Sequence, residues 1–137
     1  MKFRIVTLIS LLAFMGALLP NHANAQDPKQ QVIKFRTQVK PNSDERINLI
    51  MTPKDGEGGV SIDGCELITL PDGHKAWKVT KSWITITGPV TYFDCNLSAI
   101  DSIHFENPEN LKTLIVETNK MGVLDLKGMK ALEYLGA

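Results

Sequence analysis

The sequence has few of the residues from which most catalytic and metal sites are built. It contains only two cysteines and three histidines, with no C-x-x-C pair and no histidine cluster, so we expect no metal site. No Ser/His/Asp or Cys/His grouping stands in a recognisable catalytic motif. His74 or His104 could pair with Asp101, Asp125 or a cysteine, but both are typical of surface histidines. We therefore predict that the protein is not an enzyme and needs no cofactor.

An excess of charge of one sign is also missing. The chain has 15 basic and 15 acidic side chains, a formal net charge of zero, and no basic run. This argues against binding to nucleic acid. The glycine-rich residues 55–59, with Asp63 and Asp72 nearby, lack the spaced oxygens and late glutamate of a calcium loop. We interpret them as a hairpin turn.

Only one long apolar run is present, Ile5–Leu19, and it is shorter than the ~20 residues needed to span a bilayer. Basic residues precede it, and Pro20 and the small residues 23–25 follow it, as at a signal-peptide cleavage site. We predict a helical signal peptide over residues 1–25 and a flexible mature terminus over residues 26–31. The protein is then exported to the cell surface, the extracellular space or the periplasm. We expect no transmembrane span after cleavage.

What the sequence does contain is a repeat that begins at Val90. Val90, Leu111 and Leu132 are spaced by 21 residues, and so are Phe93, Leu114 and Leu135. The same spacing joins Cys95 with Val116, Ile100 with Met121, Ile103 with Leu124, and Phe105 with Leu126. This period, with L-x-x-L-x-L-x-x-N/C-x-L inside it, is the leucine-rich-repeat signature. We predict a leucine-rich-repeat solenoid over residues 88–137, with two copies and a partial third, and expect the chain to be a truncated piece of a larger protein.

Each copy is predicted to form a short strand whose side chains alternate between the core and a concave face. The predicted repeat core is Val90, Phe93, Cys95, Leu111, Leu114, Val116, Asn119, Leu132 and Leu135. Asn119 belongs to it because its side chain can bond backbone groups that the turn leaves unpaired. The candidate partner-binding face consists of Tyr92, Asp94, Asn96, Thr113, Ile115, Glu117 and Tyr134. Its residues should stack in columns, such as Tyr92 with Thr113 and Tyr134.

The region before the repeats, residues 32–87, is predicted to be a small antiparallel β unit. Alternating residues indicate strands at 32–39 and 47–52, and a hairpin is expected around Asp72-Gly73, which accept positive φ. Trp77 and Trp83 are expected in the core rather than at a ligand platform. A solenoid exposes the apolar side of its first coil unless something covers it. We expect the strand containing Ile84 and Ile86 to act as that cap.

The two cysteines allow two outcomes. A Cys65–Cys95 disulfide is possible in an exported protein. Cys95 also occupies an inward repeat position equivalent to Val116, where a small buried thiol is common. The repeat position favours the free thiol.

These motifs resemble those of the secreted, internalin-like leucine-rich-repeat proteins of Gram-negative gut and oral bacteria. Residues 93–95, Asn119 and residues 124–126 carry the resemblance, together with residues 84–88 leading into the first copy. The resemblance implies a mainly β fold and an exported binding protein that acts in adhesion, host contact or biofilm formation on a protein or glycan partner. The alternatives are a structural envelope module and a non-functional fragment of a larger adhesin. An uncapped last coil, with Leu132 and Leu135 exposed, also predicts self-association.

Overall fold

The computed structural model describes residues 29–137, so the predicted signal peptide over residues 1–25 lies outside the described part of the chain. These residues form a mainly β fold, as expected. The strands are β1 (Val32–Thr37), β2 (Arg46–Ile47), β3 (Ile50–Pro53), β4 (Ser61–Asp63), β5 (Cys65–Thr69), β6 (Lys75–Val79), β7 (Trp83–Thr87), β8 (Val90–Asp94), β9 (Ile100–Glu106), β10 (Thr113–Ile115) and β11 (Tyr134–Gly136). A short 3-10 helix spans Glu57–Gly59. Across residues 29–137, no helix has the length and apolar character to cross a membrane.

Sheet A is antiparallel and has the strand order β4-β7-β1-β9. Its central strand β1 alternates as predicted, with Ile33 and Phe35 fully buried and Lys34 and Arg36 exposed. Strand β9 belongs to the first repeat copy and was not predicted. It forms because β1 offers a free edge to which the far side of that copy can pair.

Sheet B contains the predicted hairpin of β5 and β6, and β2 pairs with the free edge of β6. The turn prediction is confirmed, because Gly73 has a φ of 91°, a conformation that costs glycine little. The strand predicted over residues 47–52 is wrong in one respect: it is two strands in two sheets. The break follows from the bonding of the intervening residues, since the Asn48 backbone is bonded to Ser98 and the Leu49 carbonyl accepts from Trp77 Nε1 at 2.7 Å.

Sheet C has the order β11-β10-β8-β3. Strands β8, β10 and β11 run parallel, and Tyr92 pairs with Thr113 and Thr113 with Tyr134. Paired residues on neighbouring parallel strands are therefore 21 residues apart in the sequence. The antiparallel neighbour of β8 is β3, with Thr52 opposite Tyr92. The Ile84/Ile86 strand, β7, lies in sheet A between β4 and β1, and the strand paired with the first copy is β3.

One buried core joins all three sheets, so residues 32–87 and 88–137 share their apolar interior. It contains Ile33, Phe35, Val39, Ile47, Leu49, Cys65, Val79, Ile84, Ile86, Val90, Phe93, Cys95, Ile100, Ile103, Leu111, Leu114 and Val116. Trp77 packs against this core, as expected. Trp83 does not. It precedes the buried Ile84 on a strand whose residues alternate, so its side chain points to the outer face of sheet A.

Two further expectations are settled in the same interior. Gln31 was expected in a flexible terminus, but it is buried, and its Nε2 donates to the Val90 carbonyl at 3.3 Å. Cys65 and Cys95 are both buried and free, so the disulfide is not formed. Burial and the nearby Asp63 raise the pKa of the Cys65 thiol to about 12. Burial, with a smaller effect of Asp94, also raises the pKa of Cys95.

Candidate functional site

The candidate partner-binding residues lie along the outer face of sheet C. Strand alternation directs Phe93 and Leu114 into the core, where both are fully buried, and the residues on either side of them outward. Tyr92, Thr113 and Tyr134 therefore form the predicted column across three strands. Tyr134 is the most open of the three, with 57% of its surface exposed.

Strand β3 extends this face beyond the predicted residues. Thr52 continues the column next to Tyr92, and Ile50 lies opposite Asp94. Ile50 is 52% exposed although it is a large apolar residue. Sequence reasoning missed both residues because β3 and β8 are distant in the chain, and the repeat spacing carries no information about what lies beside the first copy.

The second column is less accessible than expected. Asp94 was predicted to face outward, but only 7% of its surface is exposed. It lies at the end of β8 between Ile50 and Ile115, and its Oδ1 accepts a hydrogen bond from the Asn96 amide at 3.0 Å. This carboxylate therefore serves the turn that follows the strand. Ile115 remains half-buried at the face, and Gly136 is buried beside it.

Asn96 and Glu117 follow their strands and stay next to each other. The Leu97 amide donates to the Glu117 carbonyl at 3.2 Å, which holds the two copies together at this point. Glu117 is exposed, whereas Asn96 is half-buried and its Oδ1 accepts from the Asn48 side chain at 2.8 Å. Of this pair, Glu117 is the one more available to a partner.

The turn after each strand is fixed by one side chain that crosses to the preceding segment. Asn119 Oδ1 accepts from the Ser98 amide at 3.1 Å and from the Ile100 amide at 2.9 Å. Its Nδ2 donates to the carbonyls of Cys95 and Val116 at 2.9 and 3.0 Å. The predicted role of Asn119 in bonding turn backbone is confirmed. The same side chain also aligns the second copy against the first.

Ser98 is the equivalent residue of the first copy, and it crosses to the segment before it. Its hydroxyl accepts from the Asn48 amide at 3.0 Å and donates to the Asn48 carbonyl at 2.7 Å. Ser98 thus joins the first copy to the segment before β3, just as Asn119 joins the second copy to the first. The face of sheet C rests on a backbone that these two residues hold in register.

Of the residues considered for catalysis, His104 and Asp125 line one cleft. His74 is in the β5–β6 turn, 3.2 Å from the Asp72 carboxylate, and both side chains are largely exposed. His104 lies on β9, with Nε2 at 3.3 Å from Ser102 Oγ. Within residues 29–137, no hydrogen bond joins His104 to a carboxylate, and no group of three or more histidine, cysteine or acidic residues could hold a metal.

Comparisons of this chain with protein-family models, with curated proteins and with solved structures found no match. The site is therefore characterised by its own chemistry. It is an open sheet face with two tyrosines, threonines and two apolar residues, flanked by the carboxylate of Glu117. Such a surface can make apolar contacts and hydrogen bonds.

Proposed function

We propose that this protein is an exported leucine-rich-repeat binding protein that contacts another protein through the outer face of sheet C. The resemblance to internalin-like proteins suggests adhesion, host contact or biofilm formation as the setting. The proposal includes no catalytic activity. The observation that carries it is the 21-residue step between parallel strands, combined with an open aromatic column on the same sheet.

The step between strands supports the leucine-rich-repeat assignment. In this architecture each copy places one strand in a parallel sheet, and its neighbours bury its apolar side. The side chain of Asn119 occupies the position of the consensus N/C residue and bonds the turn of the preceding copy. A coincidental spacing in a plain β domain would give no reason for these bonds to repeat at Ser98.

The exposed residues favour a protein partner. Tyrosine supplies a large contact area and a hydrogen-bonding hydroxyl, and it is enriched among the residues that dominate protein interfaces. Tyr92 and Tyr134 stand on either side of Thr113, and Ile50 and Ile115 provide apolar contacts in the next row. The face therefore combines apolar and polar contacts over four adjacent strands.

The test is binding of the exported protein to an array of extracellular-matrix proteins, including fibronectin, laminin and collagen. A double variant, Tyr92→Ser with Tyr134→Ser, should weaken binding to any matrix protein that the unaltered chain binds. Both side chains are at least partly exposed, so the fold should persist. Circular dichroism checks that it does.

A matched control changes Thr69→Ala and Lys75→Ala, a paired and exposed set on sheet B. This variant should bind as the unaltered chain does. Equal binding by the tyrosine variant and the unaltered chain would contradict the assignment of the site. Absence of binding to every protein of the array would count against the adhesion setting.

A second candidate function is docking on another envelope protein through the N-terminal unit. The observation favouring it is an apolar cleft of about 390 Å³ where the three sheets meet, lined by Leu49, Ile50, Met51, Pro53, Val60, Ile62, Leu67 and Trp77. Leu67 is 50% exposed there. A Leu67→Asp variant that lost envelope association but kept matrix binding would favour this role over the first.

We also propose self-association at the β11 side of the molecule. Val123 is 82% exposed and Leu135 is 39% exposed, and exposed apolar patches of this kind promote association. Sedimentation velocity should show a concentration-dependent increase in mass. The Val123→Lys variant should remain monomeric over the same range, and a variant that associates equally well would exclude this surface.

A further inference from the structure

Four residues form a basic and aromatic cluster on the outer face of sheet A, away from the sheet C face. The rings of Trp83 and His104 are stacked, with centroids 6.1 Å apart and planes inclined by 21°. Lys34 Nζ lies 5.2 Å from the Trp83 ring centroid and Arg36 Cζ lies 5.6 Å from it. We call Lys34, Arg36, Trp83 and His104 the sheet A platform.

The sheet itself brings these side chains together. Arg36 pairs with Trp83 on one side and with Ser102 on the other, and Lys34 pairs with His104. Trp83 therefore reaches diagonally over β1 to meet His104. The platform is supported from below by the buried Ile33, Phe35 and Ile84, which keep the three strands in place.

Arg36 is oriented before any ligand arrives. Its Nε donates to Asp101 Oδ1 at 2.8 Å, and Gln38 Nε2 donates to Asp101 Oδ2 at 3.3 Å. The hydrogen bond from Arg36 lowers the pKa of Asp101, so this carboxylate stays ionised and keeps its hold on the guanidinium. Within residues 29–137, the Nη groups of Arg36 donate no hydrogen bond and Lys34 forms no ion pair. Both cations contact the Trp83 ring, and neither the Lys34 ammonium nor the Nη groups of Arg36 are neutralised by a carboxylate of their own.

We propose that the sheet A platform binds a saccharide that contains a hexuronate, a sugar ring bearing a carboxylate. Trp83 is half-buried, and the apolar face of a sugar ring can pack on the part of its indole that His104 and the two cations leave exposed. Its carboxylate can take the two-pronged hydrogen bonding that guanidinium offers, with the Lys34 ammonium as a second cation. This site is independent of the proposed binding face on sheet C.

Other anions match the platform less well. Nucleic acid binding draws on several phosphate contacts along a basic surface, whereas the chain has no net charge and Glu106 and Asp101 stand on the same strand as His104. A free carboxylate or phosphate would use the cations but not the indole. A neutral sugar would use the indole but not the cations. Only a ring that carries a negative charge can contact both the indole and the two cations.

The experiment is a calorimetric titration of the exported protein with tetragalacturonate, galactotetraose and sodium acetate. We expect binding of tetragalacturonate, with galactotetraose and acetate each at least roughly tenfold weaker, because each lacks one of the two kinds of contact. Trp83→Thr and Arg36→Gln should each weaken tetragalacturonate binding roughly tenfold. Trp83→Tyr, which keeps a ring, should retain most of it.

The control is Lys75→Gln, which removes an exposed lysine from sheet B and should leave binding unchanged. Circular dichroism identifies any variant that fails to fold. If Trp83→Thr fails to fold, the test still rests on Trp83→Tyr and Arg36→Gln. No binding of tetragalacturonate would overturn the proposal. So would equal binding of acetate, equal binding of galactotetraose, or a loss in Lys75→Gln as large as in Arg36→Gln.

Discussion

The two full copies of the repeat, residues 90–110 and 111–131, share one pattern of apolar residues but not one degree of burial. In the first copy, Val90, Phe93, Cys95 and Ile100 are all completely buried. In the second copy the strand side matches, with Leu111 and Leu114 completely buried, but the far side does not. There Met121 and Leu124 are only half-buried, whereas their equivalents Ile100 and Ile103 are buried.

Neighbours explain the difference. The first copy has β3 beside its strand, β1 beside its far side and the second copy on its other flank. Its far side therefore becomes the seven-residue strand β9. The second copy has only β11 beyond its strand, and its far side has no strand partner in the described part of the chain. An apolar residue at one of these positions is therefore buried only where an adjoining segment of the chain covers it.

The comparison predicts a gradient of stability along equivalent positions 93, 114 and 135. Phe93→Ala should cost about 3–5 kcal/mol and Leu114→Ala about 2–5 kcal/mol, since each opens a cavity in a closed interior. Leu135→Ala should cost only about 1 kcal/mol because this side chain is partly exposed and leaves no cavity. Urea unfolding measures all three. A loss at Leu135 as large as that at Leu114 would mean that the open side is covered in solution.

The bonds between segments give the next largest effect. Asn119→Ala should lower the free energy of unfolding by about 2–4 kcal/mol, because it leaves the amides of Ser98 and Ile100 without their acceptor. Ser98→Ala should cost about 1–3 kcal/mol at the equivalent place in the first copy. Asn110→Ala, which removes only an exposed contact with Lys54, is the control and should cost less than about 0.5 kcal/mol. Equal values for Asn119 and Asn110 would rule out the aligning role.

Cys95 and Val116 occupy the same position in the two copies, so replacing one by the other makes the copies alike. Burial raises the pKa of the Cys95 thiol, which means that its stabilising effect is complete below the unfolded pKa and is lost as pH rises above it. Between pH 7 and pH 10 the contribution of this thiol to the free energy of unfolding should fall by about 2 kcal/mol.

The Cys95→Val variant should show a shallower fall in stability over that pH range, measured by urea unfolding at each pH. Cys65→Val serves as a second variant, because burial raises the pKa of that thiol to about 12 and the same loss should apply to it. An unchanged pH profile in both variants would show that folding raises the pKa of neither thiol.

The smallest effect concerns a pair of charges at equivalent positions. Lys130 Nζ lies 3.2 Å from Glu109 Oε1, and both side chains are mostly exposed. Because exposed pairs are screened by water, Glu109→Gln should change stability by less than about 0.5 kcal/mol. Thermal unfolding at low and high salt checks this. A cost above that of Leu135→Ala would show that this pair, rather than packing, sets the spacing of the copies.

Local pattern was enough to predict much of the strand content. The alternation of Ile33 and Phe35 with Lys34 and Arg36 indicated β1, and Asp72-Gly73 indicated the hairpin. The 21-residue spacing predicted which residues meet in sheet C, including the column of Tyr92, Thr113 and Tyr134. These features depend either on short-range geometry or on the 21-residue spacing, which can be read directly from the sequence.

What could not be predicted depends on pairing between distant segments. Nothing near Ile50 indicates that it will lie beside Asp94, and nothing near residues 100–106 indicates a partner in β1. The outward direction of Trp83 was missed for a different reason, which is local. Its bulk suggests a core position, but the burial of Ile84 and Ile86 on the alternating strand leaves it no place inside.

The position of β1 in the middle of sheet A has a consequence for the growing chain. Arg36 and its partner Asp101 are 65 residues apart, so at about 5–20 residues per second β1 leaves the ribosome roughly 3–13 s before β9 does. During that interval Ile33 and Phe35 have no complete sheet to cover them. Sheet A can be completed only after residues 100–106, which form β9, have been synthesised.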